Sequence, residues 1–381
     1  MVACRVWRNH ATGEEEGIRA VVSSSSGIDR TGIWLKGDWH LHSRHSSDST
    51  NNPVEKIIGF AERHGFDYLT ITDHDVHVGG DVAGHTWSDP AYRSDRLLLL
   101  YGAELTAPRG HVNLYGTQPY DHQRFFDHRN DRDWDLAALK RESAVHWSAN
   151  HPVTSNHYGF SFDLADSIEV WNGPMWPKNA ANVRVWDNML LSGRMIGARG
   201  GSDAHHGVPD RPELASQWSP EATMNYVGTP TTWVFARERS GDALLEALVA
   251  GRACVCANPF NPRVELVADA GGGAEMMMGD NAKAEGQPVS FEVRLSGGGP
   301  EGAAYSVRII KNRETYATLA VDPKTRTARF TDTPAAGERS YYRAEIDGPQ
   351  AVYAEVPDSM ALSADKVALS NPLYFNYDPS F

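Results

Sequence analysis

All sixteen histidines of the chain lie between His10 and His206, and the 175 residues that follow contain none. Histidine serves metal ligation and proton transfer near neutral pH, so a chain segregated this way should fold its chemistry into the front half. The tail is then expected to be a domain of another kind. A length of 381 residues exceeds what one core usually serves and agrees with one large domain and a smaller one.

Composition closes off several classes. With 41% hydrophobic and 10% aromatic residues the chain can bury a sizeable core, which sets disordered and fibrous classes aside. A net charge of −13 argues against a surface that grips nucleic-acid phosphates, so no nucleic-acid partner is expected. Cys4, Cys254 and Cys256 are the only cysteines, too few and too badly spaced for a disulfide scaffold or a cysteine zinc site. Residues 1–30 hold a Glu14-Glu15-Glu16 run and a serine run but no apolar segment of signal-peptide type. The longest aliphatic run, Leu97 to Leu100, is far too short to span a membrane. The expectation is a cytoplasmic protein with no membrane partner and an N-terminal extension over 1–30.

From about Gly37 to Cys256 short apolar runs alternate with helical stretches, the pattern of an α/β domain. Strands are expected at Ile33 to Leu35, Tyr68 to Thr72, Leu97 to Tyr101, Val112 to Tyr115, Ser143 to Trp147, Ser167 to Trp171, Met195 to Ala198 and Thr231 to Ala236. A helix should start with Asn52 as its cap and Pro53 at its first position and stop at Gly65. Two more, Asn179 to Leu191 and Asp242 to Ala250, are closed by Gly193 and Gly251. Seven or so strands with intervening helices suggest a barrel-like domain over 31–258. After Pro259 glycine, proline and aspartate punctuate short alternating segments, among them Val289 to Leu295, Tyr305 to Ile310, Thr327 to Thr331, Ser340 to Ile346 and Leu373 to Asn376. That texture predicts a small antiparallel β-sandwich over 259–381.

Five motifs end predicted strands. The first is Gly37-Asp38-Trp39-His40-Leu41-His42, followed by Ser46, Ser47 and Asp48. In an extended segment residues two apart point the same way, so His40 and His42 can face one ion. Then come Thr72-Asp73-His74-Asp75, Glu104 with Gly110-His111, Asn150-His151-Pro152, and Gly201-Ser202-Asp203-Ala204-His205-His206. Strand ends converge on one face of an α/β barrel, so these groups can meet in space. Imidazole mixed with carboxylate suits zinc, manganese or iron rather than calcium or magnesium. Some nine candidate ligands are too many for one ion, so two or three divalent ions sharing a bridging carboxylate are expected. Neither a Gly-x-Ser-x-Gly nucleophile nor a Walker-type phosphate loop is present.

Taken in order, these motifs resemble the polymerase and histidinol phosphatase (PHP) superfamily, over roughly residues 37–256. Ile168 to Asn172, Leu244 to Arg252, Tyr341-Tyr342-Arg343 and Ser370-Asn371-Pro372 are similar to its carbaryl-hydrolase-like (CehA/McbA) branch. The resemblance implies a distorted (β/α)7 barrel with a di- or trinuclear metal centre. It further implies that His40, His42, Glu104 and Asp203 hold one metal, that Glu104 bridges to a second held by His111 and His151, and that Asp48, His74 and His205 hold a third. His45 makes the spacing from His42 to Asp48 looser than in many members, and either His45 or Asp48 can fill that position.

A metal-bridging hydroxide is then the expected nucleophile. Arg44 and Arg109 lie inside ligand-bearing loops and are candidates for binding a substrate anion. Asp73, Asp75 and Glu169 are candidates for orienting ligand imidazoles. The expected activity is hydrolysis of a small-molecule ester, in the first place a phosphoester, with a carboxylic ester, carbamate or amide as the alternative. A third reading is a scaffold without catalysis whose β-domain binds a partner. His77, His85, His157 and His206, Trp171, Trp176 and Trp186, and the Met276 to Met278 run are read as bystanders or packing. So are Tyr305, Tyr341, Tyr342 and Tyr374 in the tail.

Overall fold

The computed structural model describes residues 31–49, 52–76, 82–153, 157–206, 225–271, 275–354 and 363–380. The expected N-terminal extension and His77 lie outside them. The chain is a mixed α/β protein with more strand than helix, built on three sheets. Among the described residues no helix is long and apolar enough to cross a membrane.

The front half contributes β1 (Ile33–Asp38), β2 (Tyr68–Leu69), β3 (Leu98–Leu99), β4 (Tyr101–Ala107), β5 (Gly110–Gly116), β6 (His146–Ala149), β7 (Ser167–Asn172), β8 (Gly197–Gly201), β9 (Thr231–Ala236) and β10 (Ala253–Cys256). β4 to β8 form one sheet in chain order, antiparallel from β4 to β6 and parallel from β6 to β8. β1 pairs in parallel with β2, and β2 with β3, while β9 runs antiparallel to β1 and β10 to β9. Parallel bridges at Leu41 with Ala204 and at His74 with Glu104 tie these two sheets together just past the ends of β1, β2 and β8. Those bridges sit among the ligand-type residues.

Helices pack the outer faces through apolar stripes. Val54–Arg63 buries Val54, Ile57, Ile58, Phe60 and Ala61. Its cap is Pro53 rather than Asn52, and the Asn52 side chain instead donates to the His42 carbonyl at 2.6 Å. Trp176–Ser192 stops at Gly193, whose φ of 112° is readily adopted only by glycine. Gly241–Val249 starts at Ser240, whose hydroxyl accepts from the Ala243 amide.

The tail supplies β11 (Arg263–Asp269), β12 (Glu275–Met277), β13 (Asn281–Ala282), β14 (Val289–Ser296), β15 (Ser306–Lys311), β16 (Glu314–Ala320), β17 (Thr327–Asp332), β18 (Ser340–Asp347), β19 (Lys366–Ser370) and β20 (Leu373–Phe375). β11, β12, β14 and β17 make a four-stranded antiparallel sheet. The others join the large sheet, which continues from β19 into β10 and so into β9 and β1. Side chains of both tail sheets, including Leu266, Phe291, Val293, Ile309, Tyr342 and Phe375, share one core. Tyr341, Leu369 and Tyr374 instead pack with Trp147, Trp186 and Leu190 of the front half. Met276 to Met278 are buried, which is packing as expected.

Candidate metal centre

The ligand-type residues, on strands or just past their ends, converge on one place. His40 and His42 follow β1, and their segment is pinned to the residues after β8 by Asp203 N–H donating to His40 O at 2.7 Å and His42 N–H to Ala204 O at 2.8 Å. Asp38, buried, accepts from the amides of His40, Ser202 and Gly228 and so staples three chain segments beneath the cluster. His74 follows β2, Glu104 lies within β4, His111 within β5, and His151 follows β6. Gly201 is required by close approach, because a Cβ there would collide with His40 Cβ and lie 2.7 Å from Glu169 Oε1. His151 and Asp203, both in the cluster, hold φ values of 22° and 51°, which are strained for non-glycine residues.

Glu104 is fully buried at the centre. Its Oε1 lies 3.2 Å from His111 Nδ1 and 3.4 Å from both His40 Nε2 and His151 Nε2, while its Oε2 lies 2.7 Å from His74 Nδ1 and 3.6 Å from His42 Nε2. Asp203 Oδ1 stands 3.1 Å from His42 Nε2 and 3.3 Å from His40 Nε2. Asp48, His74 and His205 form a triangle, with His205 Nε2 3.3 Å from Asp48 Oδ2 and 3.4 Å from His74 Nε2, and His74 Nε2 3.6 Å from Asp48 Oδ2. His45 instead points to Asp89 at 2.9 Å. Four trios have ligand atoms within 4.8 Å of one another: His42, His74 and His205; His40, His42 and Glu104; His40, His151 and Glu169; and His74, Glu104 and His111.

The imidazoles are oriented from behind. His40 Nδ1 lies 3.0 Å from Glu169 Oε1, His42 Nδ1 3.3 Å from Ser46 Oγ, and His205 Nδ1 2.8 Å from the Asp203 carbonyl. Each therefore turns Nε2 inward, the arrangement in which a partner on one ring nitrogen fixes the other as a ligand. Burial opposes charge here, yet the groups outweigh it for one another. Asp203, Glu169 and Glu104 hold His40 well above its ordinary value despite burial, and Asp203 and Asp48 bring His205 up to about 9. The surrounding imidazoles pull Glu104 and Asp203 well below the carboxylate range. His42 goes the other way, lowered by burial and by His205 and His74 beside it. Without metal, this pocket of carboxylates draws protons onto its histidines; a divalent cation answers the same demand.

The remaining candidates separate. Glu169 orients His40 and also accepts from the His151 amide at 3.0 Å and the Asn172 amide group at 3.1 Å. Asp73 accepts from Ser43, Ser46 and Thr86, and Ser46 also lies 3.3 Å from His42 Nδ1 and accepts from the His74 amide. Asp75 lies 2.9 Å from His122 Nε2 and accepts from the Thr106 amide. Arg44 pairs with Asp89 at 3.1 Å and Glu55 at 3.9 Å and with none of the candidate ligands among the described contacts. Arg109 is likewise engaged elsewhere, paired with Asp133, donating to the Asp131 and Gly159 carbonyls and lying over Phe160. The sequence reading missed Arg199, fully buried between Glu169 and Asn150. Its signal was an arginine set among small residues in a buried strand four positions before Asp203.

His40 Nε2 tests whether the residues fit a metal. It is buried, faces Glu104 and Asp203, and makes no hydrogen bond among the described residues. A buried imidazole nitrogen set between two carboxylates without a good hydrogen bond is costly, and a cation there would take its lone pair in place of a proton. Buried His and Glu groups able to hold metal ions are therefore present. No protein-family model matches the chain, and no curated protein matches it.

Proposed function

We propose that the chain is a metal-dependent hydrolase of the PHP type, with two or three divalent transition-metal ions, zinc, manganese or iron, held by His40, His42, Asp48, His74, Glu104, His111, His151, Asp203 and His205. In this reading β1 to β10 belong to a distorted (β/α)7 barrel and the tail to an antiparallel β-sandwich. What supports it most is the convergence of eight such side chains, carried by or just past six strands, around the buried Glu104, with His40 Nε2 left without a hydrogen bond.

Bound ions of this kind supply Lewis acidity toward the scissile bond and acidify a water enough to ionise near neutral pH. The chain does the rest. Glu169 keeps the Nδ1 proton on His40, so that Nε2 presents a lone pair. Glu104, with imidazoles facing both of its oxygens, can join two ions. Asn172 holds Asp203 by donating to Oδ2 at 3.2 Å. Asp48 and His205 have side chains 39% and 23% exposed, whereas His40 and Glu104 are sealed, so substrate approaches from the third-site side.

Three carboxylates among nine ligands, with a hydroxide, would balance two divalent ions and leave a three-ion centre positive. A filled third site would therefore favour an anionic phosphoester. A carboxylic ester, carbamate or amide is the second reading, favoured because Arg44 and Arg109 are both engaged away from the cluster. Paired assays with p-nitrophenyl phosphate and p-nitrophenyl acetate, before and after chelation and in His40→Ala, test this. Phosphate turnover lost on chelation and in the variant is the expected result. Acetate turnover alone moves the reading to the second class, and turnover indifferent to chelation overturns both.

A further inference from the structure

Arg199 is a buried cation beside a site already proposed to hold several cations, which is a costly place for it unless its hydrogen bonds are needed. Its guanidinium makes three directed contacts. Nε donates to Ser148 Oγ at 2.7 Å, Nη1 to Glu169 Oε1 at 2.8 Å, and Nη2 to Asn150 Oδ1. Glu169 in turn holds His40 Nδ1 and the His151 amide. Asn150 donates through Nδ2 to Glu104 Oε1 at 2.7 Å and to Asn113 Oδ1 at 2.8 Å.

The guanidinium also decides which way the Asn150 amide faces. Arg199 carries only donors, so it draws Oδ1 toward itself and leaves the NH2 for Glu104. Reversed, the amide would set its oxygen against the Glu104 carboxylate and its NH2 against the guanidinium. One planar fork therefore governs Glu104 on one side and His40 and His151 on the other.

We propose that Arg199 is a positioning residue of the metal centre, setting the orientation of His40, His151 and Glu104 relative to one another through Glu169 and Asn150. This rests on reading the cluster as a metal centre. Lysine cannot take over, because an ammonium is a point donor and cannot match three acceptors in a fixed plane.

The test uses full-length protein stripped of metal and titrated with cobalt(II), following affinity, stoichiometry and the visible ligand-field bands, with circular dichroism to report folding. Arg199→Met is expected to weaken cobalt binding about 10- to 100-fold and to change the bands. Arg199→Lys, which keeps the charge, is expected to fall short of wild type in both. Wild-type affinity and bands in either folded variant would overturn the proposal, even with a lowered melting temperature. If neither arginine variant folds, Ser148→Ala decides, since it removes the Nε anchor while leaving Glu169 and Asn150 in place and otherwise loses only the hydrogen bond from Ser167: shifted bands support the proposal and wild-type bands overturn it. Wild-type protein that binds no cobalt overturns the metal-centre reading itself, which variants matching a cobalt-binding wild type would not.

Discussion

His146, at the start of β6, shows how burial, aided by the nearby Lys140 and Arg199 cations, turns a histidine into a pH-sensitive structural group outside the ligand set. Its Nε2 lies 2.8 Å from Ser167 Oγ, and burial holds the imidazole down to about 4. The unfolded chain takes up a proton near pH 6.5, whereas the folded chain does not until about 4. Its contribution is thus complete above pH 6.5 and is lost as pH falls from there toward 4. Between pH 7.5 and 5 the loss should be about 2 kcal/mol. Urea unfolding at both pH values, in wild type and His146→Gln, checks this: the variant should lose less stability on acidification, and identical losses would contradict it. At this scale the candidate ligands were legible because ligand chemistry restricts residue type and strand ends restrict place. Side-chain direction was not legible. Arg44 and Arg109 sit in the right loops, but Asp89 and Asp133, far along the chain, decide where they point. Arg199 was missed because its one local signal, an arginine among small residues in a strand, does not say that Glu169, Asn150 and Ser148 surround it.

At the scale of elements, the short strands are where the sequence pattern and the structure part. Tyr68 to Thr72 reads as one strand, but only Tyr68–Leu69 is regular; beyond it single bonds continue toward the β1 side, from Thr70 N–H to Asp38 O at 3.1 Å and from Thr72 N–H to Leu41 O at 2.8 Å. Glu104 was expected after a strand and lies inside one, since Tyr101–Ala107 pairs with Gly110–Gly116 in a longer hairpin than the apolar runs suggest. Helix existence was legible from apolar spacing, and the closing glycines Gly193 and Gly251 stand at positive φ as expected. What no local pattern reveals is Asn371. Its side chain accepts from Ala198 N–H at 2.8 Å and donates to Ala198 O and Ala253 O at 2.9 Å, bridging β8 and β10. Asn371→Ala leaves these buried groups unsatisfied and should cost about 2 to 4 kcal/mol. Chemical denaturation measures it, and a loss under about 0.5 kcal/mol, the level of a surface change, would contradict the bridging role.

For the whole molecule, the change of texture at Pro259 is not a break in the hydrogen bonding. β10 pairs with β19, and Arg343 reaches from the tail to grip Asp187 through Nε at 3.0 Å and Nη2 at 2.9 Å. Tyr341 Oη donates to the same carboxylate at 2.7 Å, and Glu345 with Lys366 completes the buried network. The tail's Tyr341-Tyr342-Arg343 and Ser370-Asn371-Pro372 segments thus act as anchors onto the front half. A chain ending at residue 258 should fail to fold, because it strips β10 of a partner and exposes the core around Trp186 and Leu190. Circular dichroism and solubility report this, and a folded, metal-binding truncation would contradict it. The central claim concerns the cluster itself, and Glu104 is its most connected member, with five imidazoles within 3.6 Å. The most direct test is transition-metal content after exhaustive dialysis, in wild type and in Glu104→Gln. About two to three ions per chain in wild type, and at most about one in the variant, is the predicted result for a shared bridging carboxylate. Folded wild-type protein without transition metal, or equal content in both proteins, would contradict it.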